Sequence, residues 1–480
     1  MKDFAEEVID LLKVKKVEYG DVRVVLRKSE NLQLKNEKIE TAMYNESMGF
    51  GVRVIVNGVW GFASSSKLTK GEAGKVVKTA IEIAKGSSAA KKDDVKLTKE
   101  RKFRDTYRTP FTRNPFTVPI EEKIGLLLAI SEKMKSYKEI YVRESNMGFF
   151  SNYQVFANTE GSLIVQEILE SGGGFRATAI RGNDIQVRSY PTSFGGNFAT
   201  SGYEFIEGMN LLDHVDNTCE ECIKLLSAKQ CPSMEKATII IDSDQLALQI
   251  HESIGHAVEL DRVMGMEEGY AGTSFVTTDK LNNFKYASPI VNVYADATVP
   301  LGLGTFGYDD EGVKAKKTPI IKNGIFKGYL SSRETAIKLG RKSSGAMRAD
   351  GWNRIPLIRM TNVNLAPGEW KLDDLISSTR DGLLFKTNRS WSIDSKRVNF
   401  QFGTEIAYRI KNGKIRELYK NPTYTGITPV FWNSCDAICN RDHWRLWGIP
   451  NCGKGEPGQT AHVGHGASPA RFRNVRVGLI

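Results

Sequence analysis

His-Glu-Ser-Ile-Gly-His, residues 251–256, is the stretch on which the reading of this chain turns. Two histidines flank a glutamate that directly follows the first. Those are the parts of a hydrolytic metal site: two neutral imidazoles as ligands and a carboxylate, Glu252, placed as a general base. The spacing is one residue longer than in the H-E-x-x-H helix of zinc peptidases. In a regular helix each residue turns about 100°, so positions i and i+5 diverge by about 140° and the two imidazoles face apart. One extra residue in the turn, a π-bulge, brings them onto one side. Gly255 lowers the steric cost of that distortion. The expectation is a widened or broken turn over 251–256.

Working outward, residues 237–241 read as an apolar strand, Asp242 as an N-cap, and Gln245 onward as a helix with the motif near its beginning. Residues 232–480 are strand-rich with few helices. Upstream, residues 1–86 form one α+β unit: a helix over 3–16, strands at 22–26, 31–34, 39–44 and 49–56, and a hairpin turn at Asn57-Gly58. Residues 87–118, punctuated by Pro110 and Pro115, read as a linker or long loop. Residues 119–231 form a second α+β unit, with Pro119 opening a helix, five strands over 140–190, and one long helix over 205–226. Residues 47–53 faintly echo 171–176, which hints at a repeated strand module. The fold class is α+β: N-terminal α/β units with antiparallel sheets, then a strand-rich C-terminal domain carrying the motif helix.

A chain of 480 residues is long enough for two or three domains with buried cores, and 40% hydrophobic content excludes wholesale disorder. The acidic, amphipathic start lacks the form of a signal peptide, and no apolar run reaches membrane-spanning length, so a cytoplasmic protein with no membrane partner is expected. The net charge of +11 comes from 67 basic and 56 acidic residues that are interspersed. That describes a solvated mixed surface rather than a nucleic-acid-binding one. Six cysteines do not make a disulfide framework.

A tetrahedral catalytic site needs a third protein ligand. Glu259 and Asp261 are close by; His443, Cys452, His462 and His465 lie downstream. Cys435, Cys439, His443 and Cys452 also read as a separate Cys₃His structural zinc set, with spacings unlike the usual zinc knuckles. Cys219 and Cys222 form a C-x-x-C in mid-helix, a poor place for redox chemistry. Asp309, Asp310 and Glu311 concentrate three carboxylates, read as an acidic turn paired to basic neighbours. Arg348, Arg354 and Arg359 either pair with those carboxylates or bind a substrate carboxylate.

The motif with its continuation Ala-Val-Glu-Leu-Asp to residue 261 resembles the TldD/PmbA family of metallopeptidases. So do residues 306–312 followed by 320–330, Arg359-Met-Thr-Asn362, Asn412-Gly-Lys414, and Asn451-Cys-Gly-Lys454 with Gly458-Gln459. The resemblance is essentially full length. It implies a zinc site of His251, His256 and Cys452, with Glu252 as the catalytic carboxylate and peptides or unfolded segments as substrates. It also implies a dimer enclosing a cavity, either a homodimer or a heterodimer with a motif-less PmbA/TldE-type paralogue. Bearing the motif makes this chain similar to the TldD-type member. No direct nucleic-acid binding is implied. His462 and His465 add two imidazoles near the Cys452 loop. The expected function is zinc-dependent peptide hydrolysis, with a cysteine hydrolase using Cys452 or a non-catalytic peptide-binding dimer scaffold as alternatives. Strands within 390–420 are expected to hold an extended peptide by β-addition.

Overall fold

Two long antiparallel hairpins dominate the N-terminal half of the computed structural model, which describes residues 1–269 and 272–478. Strand Tyr19–Lys35 pairs with Lys38–Val56, and Ile140–Asn158 with Leu163–Arg181. The first strands of the two hairpins pair with each other, from Asp21 opposite Asn158 to Lys35 opposite Glu144, giving one eight-stranded sheet. Residues 27–30 read as a strand break, yet the strand continues because its backbone is paired on both edges there. Asn57 and Gly58 take φ of 53° and 68° to make the tight turn into Val59–Ser65.

Helices Lys2–Val14 and Lys70–Ser87 cover one hairpin, their buried positions Ala5, Val8, Ile9, Leu12 and Ala73, Val76, Val77, Ala80 following the helical period. Ile120–Lys135 and Val215–Ser227 cover the other. Residues 47–53 and 171–176 both lie on the second strand of their hairpin, so the faint echo falls on equivalent places. The single helix expected over 205–226 is divided. Asn210 adopts φ 47° and separates Glu204–Gly208 from Val215–Ser227.

In the C-terminal half five strands pair in a ring. Met234–Ile241 runs parallel to Asp381–Ile393 and antiparallel to Ala470–Val477. The latter pairs with Thr423–Ile427, which pairs with Asn399–Lys411, which returns to Asp381–Ile393. Ile239, Ile241, Leu383, Phe385, Phe402, Tyr424 and Phe472 belong to the core that this ring builds with the motif segment. Closure has a consequence for the expected peptide-holding strand. Asn399–Lys411 is paired on both sides, so its ladder groups are taken and β-addition there has no edge to use.

The two halves meet through buried polar contacts. Gln154 donates to Asp310 (2.7 Å), the Arg333 guanidinium pairs with Glu160 (2.8 Å), and Arg53 bridges Asp21 (2.6 Å) and Glu311 (3.7 Å). Of the expected paired acidic turn, Asp310 and Glu311 meet Arg23 (3.9 Å) and Arg53 (3.7 Å), whereas Asp309 accepts only backbone N–H groups and burial raises its carboxyl to about 8. Among the described residues no helix is long and apolar enough to cross a membrane.

Candidate metal centre

Strand Met234–Ile241 ends at Asp242, whose carboxylate caps helix Ser243–Ile250 by accepting the Ser243 N–H (2.6 Å). The motif comes at the end of that helix rather than near its beginning. His251–Gly255 forms a π-helical turn, closed by the His256 N–H donating to the His251 carbonyl, and His256–Val258 tightens to a 3₁₀ turn. This is the widened turn that the i, i+5 spacing requires. Gly255 has a second reason to lack a side chain: a Cβ there would lie 2.2 Å from the Met360 sulfur. Ser253 anchors the turn. Its hydroxyl accepts from Trp432 Nε1 (2.9 Å), and its carbonyl accepts from the Tyr286 hydroxyl.

The widened turn puts the imidazoles of His251 and His256 edge-to-face with centroids 4.8 Å apart. Cys452 arrives from the hairpin Arg445–Lys454/Gln459–Ala467, which packs across the motif helix. One ligand atom from each of His251, His256 and Cys452 lies within 4.8 Å of the others, and all three residues are buried. Among the described residues this is the one such group of His, Cys, Asp or Glu.

Hydrogen bonding selects the tautomers. His465 Nδ1 lies 3.1 Å from the Val363 carbonyl, which only accepts, so Nδ1 carries the proton. Burial drives His465 to the neutral form, so its Nε2 is an acceptor. His251 Nδ1, 2.8 Å away, must therefore donate to it. His256 Nδ1 in turn donates to Glu259 (3.0 Å). Both rings are thus left with Nε2 for a ligand, and His256 Nε2 stands 3.6 Å from Cys452 Sγ. Partners behind each imidazole that fix ring and tautomer are the usual support of a metal-binding histidine.

Charge completes the picture. Burial alone pushes the Cys452 thiol up, but His251, His256 and Arg359 outweigh it and hold the thiol well below its ordinary value. Burial pushes His256 well down. It acts the same way on His251, but there the adjacent Cys452 prevails and the net shift is upward. The buried cluster is a thiolate between two imidazoles, a donor set that suits zinc. Arg359 donates to the Cys452 carbonyl and to the Gln459 carbonyl (2.9 Å), bracing the hairpin beneath the thiolate.

Glu252, next in the turn, is buried, and its carboxylate accepts from Arg397. Arg397 sits at φ 66° in the tight connection between strands Asp381–Ile393 and Asn399–Lys411, held there as its N–H donates to the Asp394 carbonyl (2.9 Å). Behind Glu259 lies Lys454, with no exposed side-chain surface. It is 3.4 Å from Glu259 and donates to both oxygens of Asp261 (2.8 and 2.9 Å) and to the Ile358 carbonyl (2.8 Å). Glu259 and His465 thus stand behind His256 and His251, and Asp261 stands behind Lys454.

The other sequence candidates lie elsewhere. His462 faces Glu170 (2.5 Å), and His443 Nε2 accepts the Leu372 N–H (3.2 Å). Cys435 turns to the Ala437 carbonyl and Cys439 packs in a separate apolar cluster, so no Cys₃His site assembles. Cys219 and Cys222 are buried, and burial pushes both thiols up to about 12, which leaves them inert. Of the three arginines, neither Arg348 nor Arg359 bonds the 309–311 carboxylates; both donate to backbone carbonyls. Arg397 carries no signal in the sequence, and Lys454 appears there only as part of a family phrase.

This construction agrees with what the chain is similar to. The family model for the PmbA/TldA metallopeptidase C-terminal domain matches residues 234–478, and that for domain 1 matches residues 20–84. A metalloprotease of Methanocaldococcus jannaschii is 32% identical over 468 residues, covering 97% of this chain and 99% of its own. A metalloprotease of Methanothermobacter thermautotrophicus is 30% identical over 463 residues, 96% of each chain. The crystal structure of TldE from Thermococcus kodakarensis shares the fold, with a TM-score of 0.75 at 17% identity over 99% of this chain and 100% of that one. With the C-terminal family model spanning the whole metal centre and full-length relatives named metalloproteases, this chain belongs to the PmbA/TldD metallopeptidase family.

Proposed function

We propose that this chain is a zinc-dependent peptidase of the motif-bearing TldD type, hydrolysing peptides or unfolded polypeptide segments. His251, His256 and Cys452 would hold the metal, and Glu252 would act as general base. The observation that carries this reading is the convergence of two Nε2 atoms and one thiolate, each backed by its own partner. Zinc held by such a set supplies Lewis acidity, polarising a carbonyl and acidifying water to a pKa of about 7.

The chain's own residues do the rest. Arg397 engages one oxygen of Glu252 and fixes the carboxylate plane. The other oxygen takes the proton of the attacking water and delivers it to the leaving amine. His465 and Glu259 keep both Nε2 atoms unprotonated and aimed. Peptides enter as flexible segments, and the working unit is a homodimer or a heterodimer with a motif-less paralogue. Six free, buried thiols suit a reducing cytoplasm.

The test pairs metal analysis with cleavage of an unstructured peptide by the full-length chain. Zinc near one per chain, cleavage abolished by chelation, and a Glu252→Ala variant that keeps its zinc but loses turnover are the expected results. Cleavage that survives chelation would instead assign the chemistry to Cys452 and its imidazole neighbours as a cysteine hydrolase. Absence of both metal and cleavage would leave a peptide-binding scaffold.

A further inference from the structure

A cavity of about 350 Å³ opens between the long N-terminal sheet and strand Gln459–Ala467. Its wall includes Arg27, Lys28, Glu170, Arg348, Asp350 and His462. Most of these charges are already matched. Glu170 faces His462 Nδ1 at 2.5 Å. Asp350 accepts from Arg27 (2.7 Å) and from the Thr460 N–H (2.8 Å). Lys28 lies 3.5 Å from Glu46.

Arg348 is the exception. Its Nη1 donates to the Met360 and His462 carbonyls (3.1 and 2.5 Å), and among the described residues no carboxylate ion-pairs with it. Its guanidinium lies over the Phe306 ring, 5.6 Å from the centroid, and the residue lines the cavity. Burial, only partly offset by the charge of Glu170, pushes this guanidinium down to about 10. Arg348 is half-buried, and a partly desolvated guanidinium with no bonded anion keeps donors free for a ligand.

Strand Gln459–Ala467 stands between the cavity and the metal centre and links them in two places. Ala461, in its wall, is the cross-strand partner of Cys452. Met360, whose carbonyl Arg348 holds, packs its sulfur on Gly255 of the motif turn.

We infer that this cavity is a subsite for a carboxylate of the peptide substrate, with Arg348 as the anchoring charge and Arg27 as a second donor. The carboxylate comes from the chain terminus or from an acidic side chain. The inference rests on the peptidase reading for the ligand being a peptide; the site itself rests on Arg348.

The experiment measures binding rather than turnover. Full-length protein carrying Glu252→Ala is titrated with three unstructured peptides bearing a neutral N-terminal fluorophore. One has a free C-terminus and no acidic residue; the second is its C-terminal amide; the third is that amide with one internal glutamate. Binding about tenfold tighter for a carboxylate-bearing peptide than for the plain amide is expected, as one charge-assisted contact provides. Whether the first or the third peptide shows the gain names the source. Arg348→Gln should abolish the preference, so that carboxylate-bearing and plain amide peptides bind alike. Arg27→Gln, whose side chain is 39% exposed, should reduce the preference and keeps the test decisive if Arg348→Gln does not fold. Equal binding of all three peptides, or a preference that persists in the variant that folds, overturns the inference. Carboxylate-selective binding by a chain that holds no zinc and cleaves nothing would refute the peptidase reading and leave the subsite standing.

Discussion

Lys454→Met is the perturbation that most directly probes how the metal centre is held. Lys454 is fully buried between Glu259 and Asp261, whose side chains are 0% and 9% exposed. It gives Asp261 two hydrogen bonds at 2.8 and 2.9 Å and stands 3.4 Å from the Glu259 oxygen that His256 also uses. Burial raises the Asp261 carboxyl, and Lys454 opposes that shift. Without the ammonium, two buried carboxylates face each other with Arg262 as the nearest remaining cation, 4.0 Å from Glu259. Removing one partner of a buried pair costs about 3–5 kcal/mol, because the stranded charge stays behind. One carboxylate then takes up a proton. When that proton falls on Glu259, His256 loses a charged acceptor and its fixed tautomer, a change that lowers metal affinity by about 10–100-fold. The assays are urea unfolding of the metal-free chain and zinc competition against a chelator. Adding Asp261→Asn removes the stranded charge and should recover at least about 1 kcal/mol of stability, a coupling expected of groups in contact. A Lys454→Met chain that unfolds and binds zinc as the parent does would refute the charge chain from His256 to Asp261.

Other consequences can be measured separately. Cys452→Ala removes one of the three converging donors and should lower zinc content; unchanged occupancy would transfer the ligand role to another residue behind the site. Arg397→Ala frees the Glu252 carboxylate and should lower kcat about tenfold or more with zinc content intact, as expected when a general base loses its positioning. A rise in kcat would mean that Arg397 restrains Glu252 instead. Away from the site, hydrogen bonds from Arg143 at 2.7 and 3.0 Å hold the Glu37 carboxyl down to about 2. A depressed carboxylate pKa stabilises the fold above the unfolded value of about 4.5 and loses that contribution as pH falls toward about 2. Glu37→Gln should therefore cost about 1–2 kcal/mol at pH 7, after discounting for solvent screening, and almost nothing near pH 2. An equal loss at both pH values would show that packing, not charge, is responsible.

What could be foreseen in the sequence, and what could not, divides along a physical line. The widened turn was legible because it is arithmetic: i and i+5 cannot share a face of a regular helix, and a glycine stood at the bend. The Asn57-Gly58 turn and the Asp242 cap were legible for the same reason, being local chemistry read within a few residues. Broken helices and continuous strands were not. Asn210 departs from the helix without a proline, and the Tyr19–Lys35 strand runs through polar residues because both neighbours satisfy its backbone. Strand Asn399–Lys411 offers a peptide no edge because its neighbours pair it on both sides, a property of several segments together, whereas Lys414–Lys420 pairs on its outer side only at Tyr419 and Lys420.

The metal centre itself spans both regimes. Cys452 lies 196 residues beyond His256, and only the hairpin register opposite Ala461 turns its thiol toward the imidazoles. Family resemblance supplied that residue; spacing alone left six candidates. Yet the discarded candidates were not idle. Glu259 and His465 are the acceptors that decide which nitrogen His256 and His251 present to the cluster. A metal site must be surrounded by groups of the same chemical types as its ligands, because imidazoles are oriented by carboxylates, carbonyls and other imidazoles. Composition near a motif therefore marks the neighbourhood of a metal centre, whereas the division between ligands and their supports depends on which nitrogen each ring has left over.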